Sequence, residues 1–149
     1  PGLPDVNTDA PGNAANVIGE LEIAAAYASM RGDHDNAIVI MREAVLREEK
    51  MGAPSGPPSL IKPSHELLGE ILLRAGKPNE AAEQFKIALL RQPNRARSLL
   101  GAARAASQQG DQVTARAFYE KLSQQWTSAD NDLVELREAR DYLKQAKAN

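Results

Sequence analysis

Apolar residues recur along this chain with the period of an α-helix. Over 16–30, Leu21, Ala24, Ala25 and Ala28 fall at i, i+3, i+4 and i+7, one stripe of a segment rich in good helix formers. Gly32 stops that run, Asp33 or Asp35 can cap the next, and Ile38, Met41, Ala44 and Val45 carry a second stripe to about Met51. The scheme returns at Ser64, where a helix runs to about Ala75. Gly76 is its stop, and Pro78 suits the first turn of a helix reaching about Gln92. After Pro93 and Asn94 a third pair covers 95–109 and 111–126, with Gly110 between. The last segment opens with cap residues and places Leu133, Leu136 and Leu143 on a loose stripe, predicting a seventh helix over about 130–147. Residues 1–12, PGLPDVNTDAPG, carry no period and are expected to be extended or disordered. The pattern predicts an all-α chain with one domain over 13–149: hairpins at about 13–51, 64–92 and 95–126, then a capping helix.

The hairpins superimpose. The second reads His65-x2-Leu68-Gly69-x2-Leu72, then Ala81-x3-Phe85, then Pro93. This resembles the tetratricopeptide repeat, whose 34-residue pattern has Trp, Leu, Gly, Tyr, Ala, Phe and Pro in those columns. Five of the seven match. Thirty-four residues beyond Gly76, Ala81 and Phe85 stand Gly110, Ala115 and Tyr119; forty-four before them stand Gly32, Ala37 and Met41. The resemblance covers about 18–126, and the stretch from Leu68 to Asp111 is similar to the end of uncharacterised bacterial repeat proteins of this kind. It implies a right-handed α-α superhelix, a solenoid of three hairpins plus a helix that caps the apolar face of the last one.

Each column has a physical reason. The three glycines can take positive φ and let the chain double back. Ala25, Gly69 and Ala103 are small where paired helices cross, as are Ala37, Ala81 and Ala115 opposite them, while Met41, Phe85 and Tyr119 are large enough to fill the space between hairpins. The chain departs from the pattern at the first bulky column, which holds Leu21, His65 and Leu99, and at the second, which holds Ala28, Leu72 and Ala106.

The longer first interval holds ten surplus residues, in the stretch MGAPSGPPSLIKPSHE. Because the columns resume in register after it, 52–63 reads as an inserted Pro-rich loop rather than a domain linker. Prolines at 54, 57, 58 and 63 favour an extended path, and Leu60 and Ile61, its only large apolar side chains, are expected to dock on the array.

Composition narrows the function classes. At 149 residues the chain suits one domain, and its formal net charge of -2 gives no global field for nucleic acid or an anionic membrane. It has no cysteine, hence no disulfide or thiolate chemistry, and no apolar run of membrane-spanning length. The sequence opens at Pro1 and is expected to be a segment of a longer or processed chain; it does not select a cellular compartment.

No catalytic, metal or cofactor site is expected. HELLGE, from His65, begins like a zinc-protease helix but lacks the second histidine four residues on, so His65 reads as a core residue in the Trp column. Asp33-His34-Asp35 reads as turn and cap chemistry. Over 86–110 there are five cations, Lys86, Arg91, Arg95, Arg97 and Arg104, and no acid. That run reads as a solvated face, the alternative being a patch for an acidic peptide; without interleaved aromatics nucleic acid is not expected.

The resemblance implies a groove lined by the first helix of each hairpin. Its columns would hold Glu22, Ala26 and Ser29, then Glu66, Glu70, Leu73 and Arg74, then Arg97, Leu100, Gly101, Arg104 and Gln108, acidic at one end and basic at the other. Members of the family that grip a carboxylate need Lys and Asn where this chain has Glu22, Ile23 and Leu67, and only Arg97 matches. The expected function is a non-catalytic module binding a peptide or partner helix in that groove. The alternatives are a structural spacer for a domain outside this chain, and self-association through the unlike groove ends.

Overall fold

Seven α-helices account for the regular structure of residues 14–51, 62–130 and 132–148, the residues that this computed structural model describes. They are α1 (Ala14–Met30), α2 (His34–Lys50), α3 (Ser64–Arg74), α4 (Pro78–Arg91), α5 (Ala96–Gln108), α6 (Gln112–Gln125) and α7 (Val134–Ala148). No strand occurs among the described residues. Leu60 and Ile61, expected to dock, lie outside the described residues, as do 1–12.

The turns α1–α2, α3–α4 and α5–α6 share one device. Gly32, Gly76 and Gly110 have φ of 84°, 70° and 78°, and the residue after each donates its N–H to a carbonyl five positions back: Asp33 to Ala28, Lys77 to Leu72, Asp111 to Ala106. These bonds satisfy carbonyls that the helix end leaves open while the left-handed glycine reverses the chain. Asp33 and Asp111 then cap the next helix, accepting from the N–H of Asn36 and Thr114. Between α2 and α3 the role of cap passes to a distant carboxylate: Glu48, buried near the end of α2, accepts the N–H of Ser64 at the start of α3.

Each helix packs on the next from α1 to α7, and α1 touches α3 as α3 touches α5, a neighbour-to-neighbour arrangement consistent with a helical repeat. The column residues form the core: Leu21, Ala25, Ala28, Ala37, Met41, Leu68, Leu72, Ala81, Phe85, Leu99, Ala103, Ala106, Ala115 and Tyr119 are all buried, as is His65, while Pro93 is exposed. One cluster runs from α1 to α5 around Phe85. A second joins Leu99, Leu100 and Ala103 of α5 to Tyr119 and Leu122 of α6 and Ala139 of α7, and Leu89 and Phe118 touch both.

Phe85 has no open side. A Cβ on Gly69 of α3 would stand 2.8 Å from its Cζ, and one on Gly101 of α5 would stand 2.2 Å from its Cε1 and Cζ. The ring is therefore wedged between the bare backbones of two helices. This corrects the placement of Gly101 in the groove: it is buried against Phe85, and neighbouring Leu100 is buried in the second cluster.

Three outcomes are expected in thermal or urea unfolding. Phe85→Ala costs about 3 to 5 kcal/mol through lost burial and a cavity. Gly101→Ala destabilises by about 1 to 3 kcal/mol through overpacking, against the roughly 1 kcal/mol that alanine contributes in a helix interior. Adding Phe85→Leu to Gly101→Ala recovers part of that loss, a non-additivity that a double-mutant cycle reads directly.

Candidate functional site

Helices α1, α3, α5 and α7 are joined along one side by a seam of polar contacts. Ser64 Oγ donates to Glu22 Oε1 at 2.9 Å, linking α3 to α1. Glu66, fully buried on α3, receives the fork of Arg95 at 2.8 and 3.2 Å and the hydroxyl of Ser98 at 2.6 Å, linking α3 to α5. On α5, Arg97 Nη1 lies 3.1 Å from Glu135, while Arg104 forks onto Glu138 at 2.9 and 2.6 Å. Glu138 also accepts the hydroxyl of Tyr119 at 2.8 Å, and the Tyr119 ring stacks, tilted, on Tyr142 at 4.6 Å. The end helix thus reaches back over α5 with two carboxylates one turn apart.

Two open depressions adjoin on this side. The first, about 360 Å³, is lined by Glu70, Leu73, Arg74, Arg97, Arg104 and Gln108. The second, of similar volume, takes in Glu22, Ile23, Ala26, Met30, Lys62 and Leu67 and shares Glu70 and Arg74 with the first. Glu70 is paired with Lys62 at 2.6 Å. Arg74 is exposed and has no acidic partner among the described residues.

Of the expected groove residues, Glu22, Glu70, Arg74, Arg97, Arg104 and Gln108 line these depressions, with Ala26 and Leu73. Ser29 and Glu66 do not. Ser29 is buried with its hydroxyl 3.3 Å from His34 Nδ1, at the first residue of α2. Glu66 is turned inward because Arg95 and Ser98 supply three charge-assisted hydrogen bonds that offset its desolvation. The basic end is neutralised as well: α7 brings Glu135 and Glu138 to it.

The run of five cations is not a patch. Each has a carboxylate within 4.0 Å: Lys86 has Glu83, Arg91 has Glu48, Arg95 has Glu66, Arg97 has Glu135 and Arg104 has Glu138. His65 has Gln84 2.9 Å from its Nδ1, while Glu49 stands 3.2 Å from Nε2 without hydrogen-bonding to it. Among the described residues no three His, Asp or Glu side chains gather as a metal site.

Sequence reasoning passed over Glu48, Ser64, Ser98, Glu135 and Glu138. A signal existed for Glu48, a carboxylate that continues the apolar stripe Met41, Val45. Another existed in Glu135 and Glu138, spaced i, i+3 on the cap helix. For Ser64 and Ser98 there was none, because nothing local distinguishes them from surface serines.

Burial, with Glu48 nearby, pushes the Glu22 carboxyl up from 4.5 to about 7, against the opposing pull of Ser64 and Lys62. Glu138 is shifted the other way by its hydrogen bond from Arg104, which outweighs its partial burial. Burial first, then the Glu138 contact, raises the Tyr119 hydroxyl. A carboxyl raised in the folded state favours the fold when protonated. The Glu22 contribution is fully present below 4.5 and is lost as pH climbs through about 7. Glu138 contributes the reverse: its stabilisation holds above its ordinary 4.5 and fades as pH falls through its lowered value. Glu22→Gln should match the parent in thermal melts near pH 4.5 and exceed it at pH 8. Glu66→Ala, which removes the acceptor that Arg95 and Ser98 share, should cost about 3 kcal/mol in urea unfolding, the lower end for a broken buried pair because Arg95 is partly exposed.

No protein-family model matches this chain, and no curated protein matches it.

Proposed function

We propose that this chain is a non-catalytic interaction module whose ligand is an extended segment of another protein lying along α1, α3 and α5. The reading takes the hairpins as tetratricopeptide-like repeats in a right-handed superhelix, with α7 as the cap. What supports it is the spacing of the columns together with one observation: two open depressions run into each other through Glu70 and Arg74, across the first helices of all three hairpins. Between them they offer apolar contacts from Ile23, Leu67 and Leu73, and guanidinium groups from Arg74 and Arg97. A peptide carrying carboxylates and apolar side chains suits that lining. Arg104 is not a ligand contact in this reading, since two of its nitrogens are committed to the Glu138 fork, whereas Arg97 meets Glu135 as an ion pair alone and is the more exposed.

The alternative is a structural spacer. It is favoured by the same salt bridges from α7, which leave the far end of the depression with little uncompensated charge.

A panel of fluorescein-labelled peptides of equal length, acidic, basic and neutral with apolar residues interspersed, separates the two readings by fluorescence polarisation. Acidic members should bind and weaken with added salt. Arg74→Glu should remove most of that binding while leaving the melting temperature within a few degrees, because Arg74 is exposed and has no acidic partner among the described residues. Affinity unchanged by this reversal would overturn the site, and no binding by any member would favour the spacer.

A further inference from the structure

The opposite side of α5 carries a different surface. By the 34-residue register, Leu68 and Leu72 of α3 become Ala102 and Ala106 of α5. The ion pair that bridges α2 and α4, Arg42 to Glu80 at 2.9 Å, has Lys86 and Thr114 as its counterparts on α4 and α6, and these cannot pair. Short side chains below and a missing bridge above leave an apolar hollow of about 450 Å³ between α4 and α6, walled by Leu89, Leu90, Ala102, Ala106 and Phe118. Leu90 is 74% exposed. Since Ala102 and Ala106 each lie about 200° around the helix from Arg104, the hollow faces away from the depressions.

Charge is ordered along it. Gln109 Nε2 reaches the carbonyl of Pro78, and Gln125 Nε2 reaches that of Asn94, so α4 and α6 run the same way. Glu83 and Asp111 therefore mark one end and Lys121 the other, with Lys86 between.

A second apolar surface stands on α1, bordering the depression that Ile23 and Met30 also line. Ile23, Tyr27 and Met30, at i, i+4 and i+7, are 73%, 61% and 82% exposed. In the 44-residue register the counterparts of Ile23 and Tyr27 are Leu67 and Ile71, which α3 buries; on α1 the same columns have nothing over them among the described residues. Glu20 flanks this ridge toward the N-terminal end. Arg31, held by its bond to the Tyr27 hydroxyl at 3.1 Å, flanks the other end. The eleven residue steps from Glu20 to Arg31 span about 16 Å, and the ten steps from Asp111 to Lys121 about 15 Å.

We propose that α1 of one copy of this chain seats in the α4–α6 hollow of a second copy, running antiparallel to α4 and α6. Ile23, Tyr27 and Met30 cover Leu89, Leu90 and Phe118; Arg31 meets Glu83 and Asp111, and Glu20 meets Lys121. The two surfaces differ, so the contact is head-to-tail and leaves a free ridge and a free hollow on every dimer.

Sedimentation of the chain over rising concentration tests this. The mass should grow with concentration, and Tyr27→Glu or Leu90→Glu alone should weaken association by roughly tenfold or more. An equimolar mixture of the two variants should restore association but stop at two copies, because only one intact ridge and one intact hollow remain to meet. Neither residue lines the depressions, so peptide binding there should survive in both variants. Four results overturn the proposal: a chain monomeric throughout, a substitution that leaves the association unchanged, a mixture that fails to recover, or a melting temperature lowered by Tyr27→Glu in monomeric protein. The last would mean that the ridge is covered within one chain.

Discussion

The structure turns on a phenylalanine ring held between two glycines. Phe85 lies where α3, α4 and α5 meet, and the absence of side chains at Gly69 and Gly101 lets both helices close on it. Close packing of this kind fixes distance and rotation together, since neither helix can slide without driving a ring atom into backbone. The other hairpin contacts inherit that alignment. Leu68 and Leu72 meet the first core because α3 is held at this height.

Against this apolar wedge the polar seam has a different character. Glu66, Glu22 and Glu138 are carboxylates in partly or wholly buried positions, each held by a hydroxyl and, for Glu66 and Glu138, an arginine fork. Such groups add little net stability over well-packed apolar residues, but they are costly to leave unpaired, which penalises a shifted register. The seam therefore specifies which helix meets which. Its ends behave unlike each other: Glu22 is held toward neutrality and Glu138 toward charge, so the two ends of the stack respond to pH in separate ranges.

Much of this was legible in the sequence, for reasons that differ by residue. Helices and turns were written locally, in apolar period, positive-φ glycines and aspartate caps, and the columns around Ala81 and Phe85 carried the packing. The site was legible only as a face. A helix face follows from spacing, so Arg74 and Arg97 could be placed. Whether a side chain on that face turns inward depends on partners some thirty residues away, and that is why Glu66, matched by Arg95 and Ser98, read as a groove residue. Gly101 was misplaced for a related reason: its neighbour across the interface, Phe85, lies on a different helix. The hollow beside α5 was written as two alanines in columns that hold leucine one repeat earlier, a difference of volume that helical periodicity does not register.

Glu48 carries a consequence for how such a chain can change. Its carbonyl accepts the N–H of Met51, where α2 ends, and its carboxylate accepts the N–H of Ser64, where α3 begins. One residue thus anchors both sides of the segment that separates the first hairpin from the second. The contact of α2 with α3 at this point runs through the Glu48 carboxylate. The junction is a point where sequence can be gained, lost or grafted without altering the phase of the helices on either side.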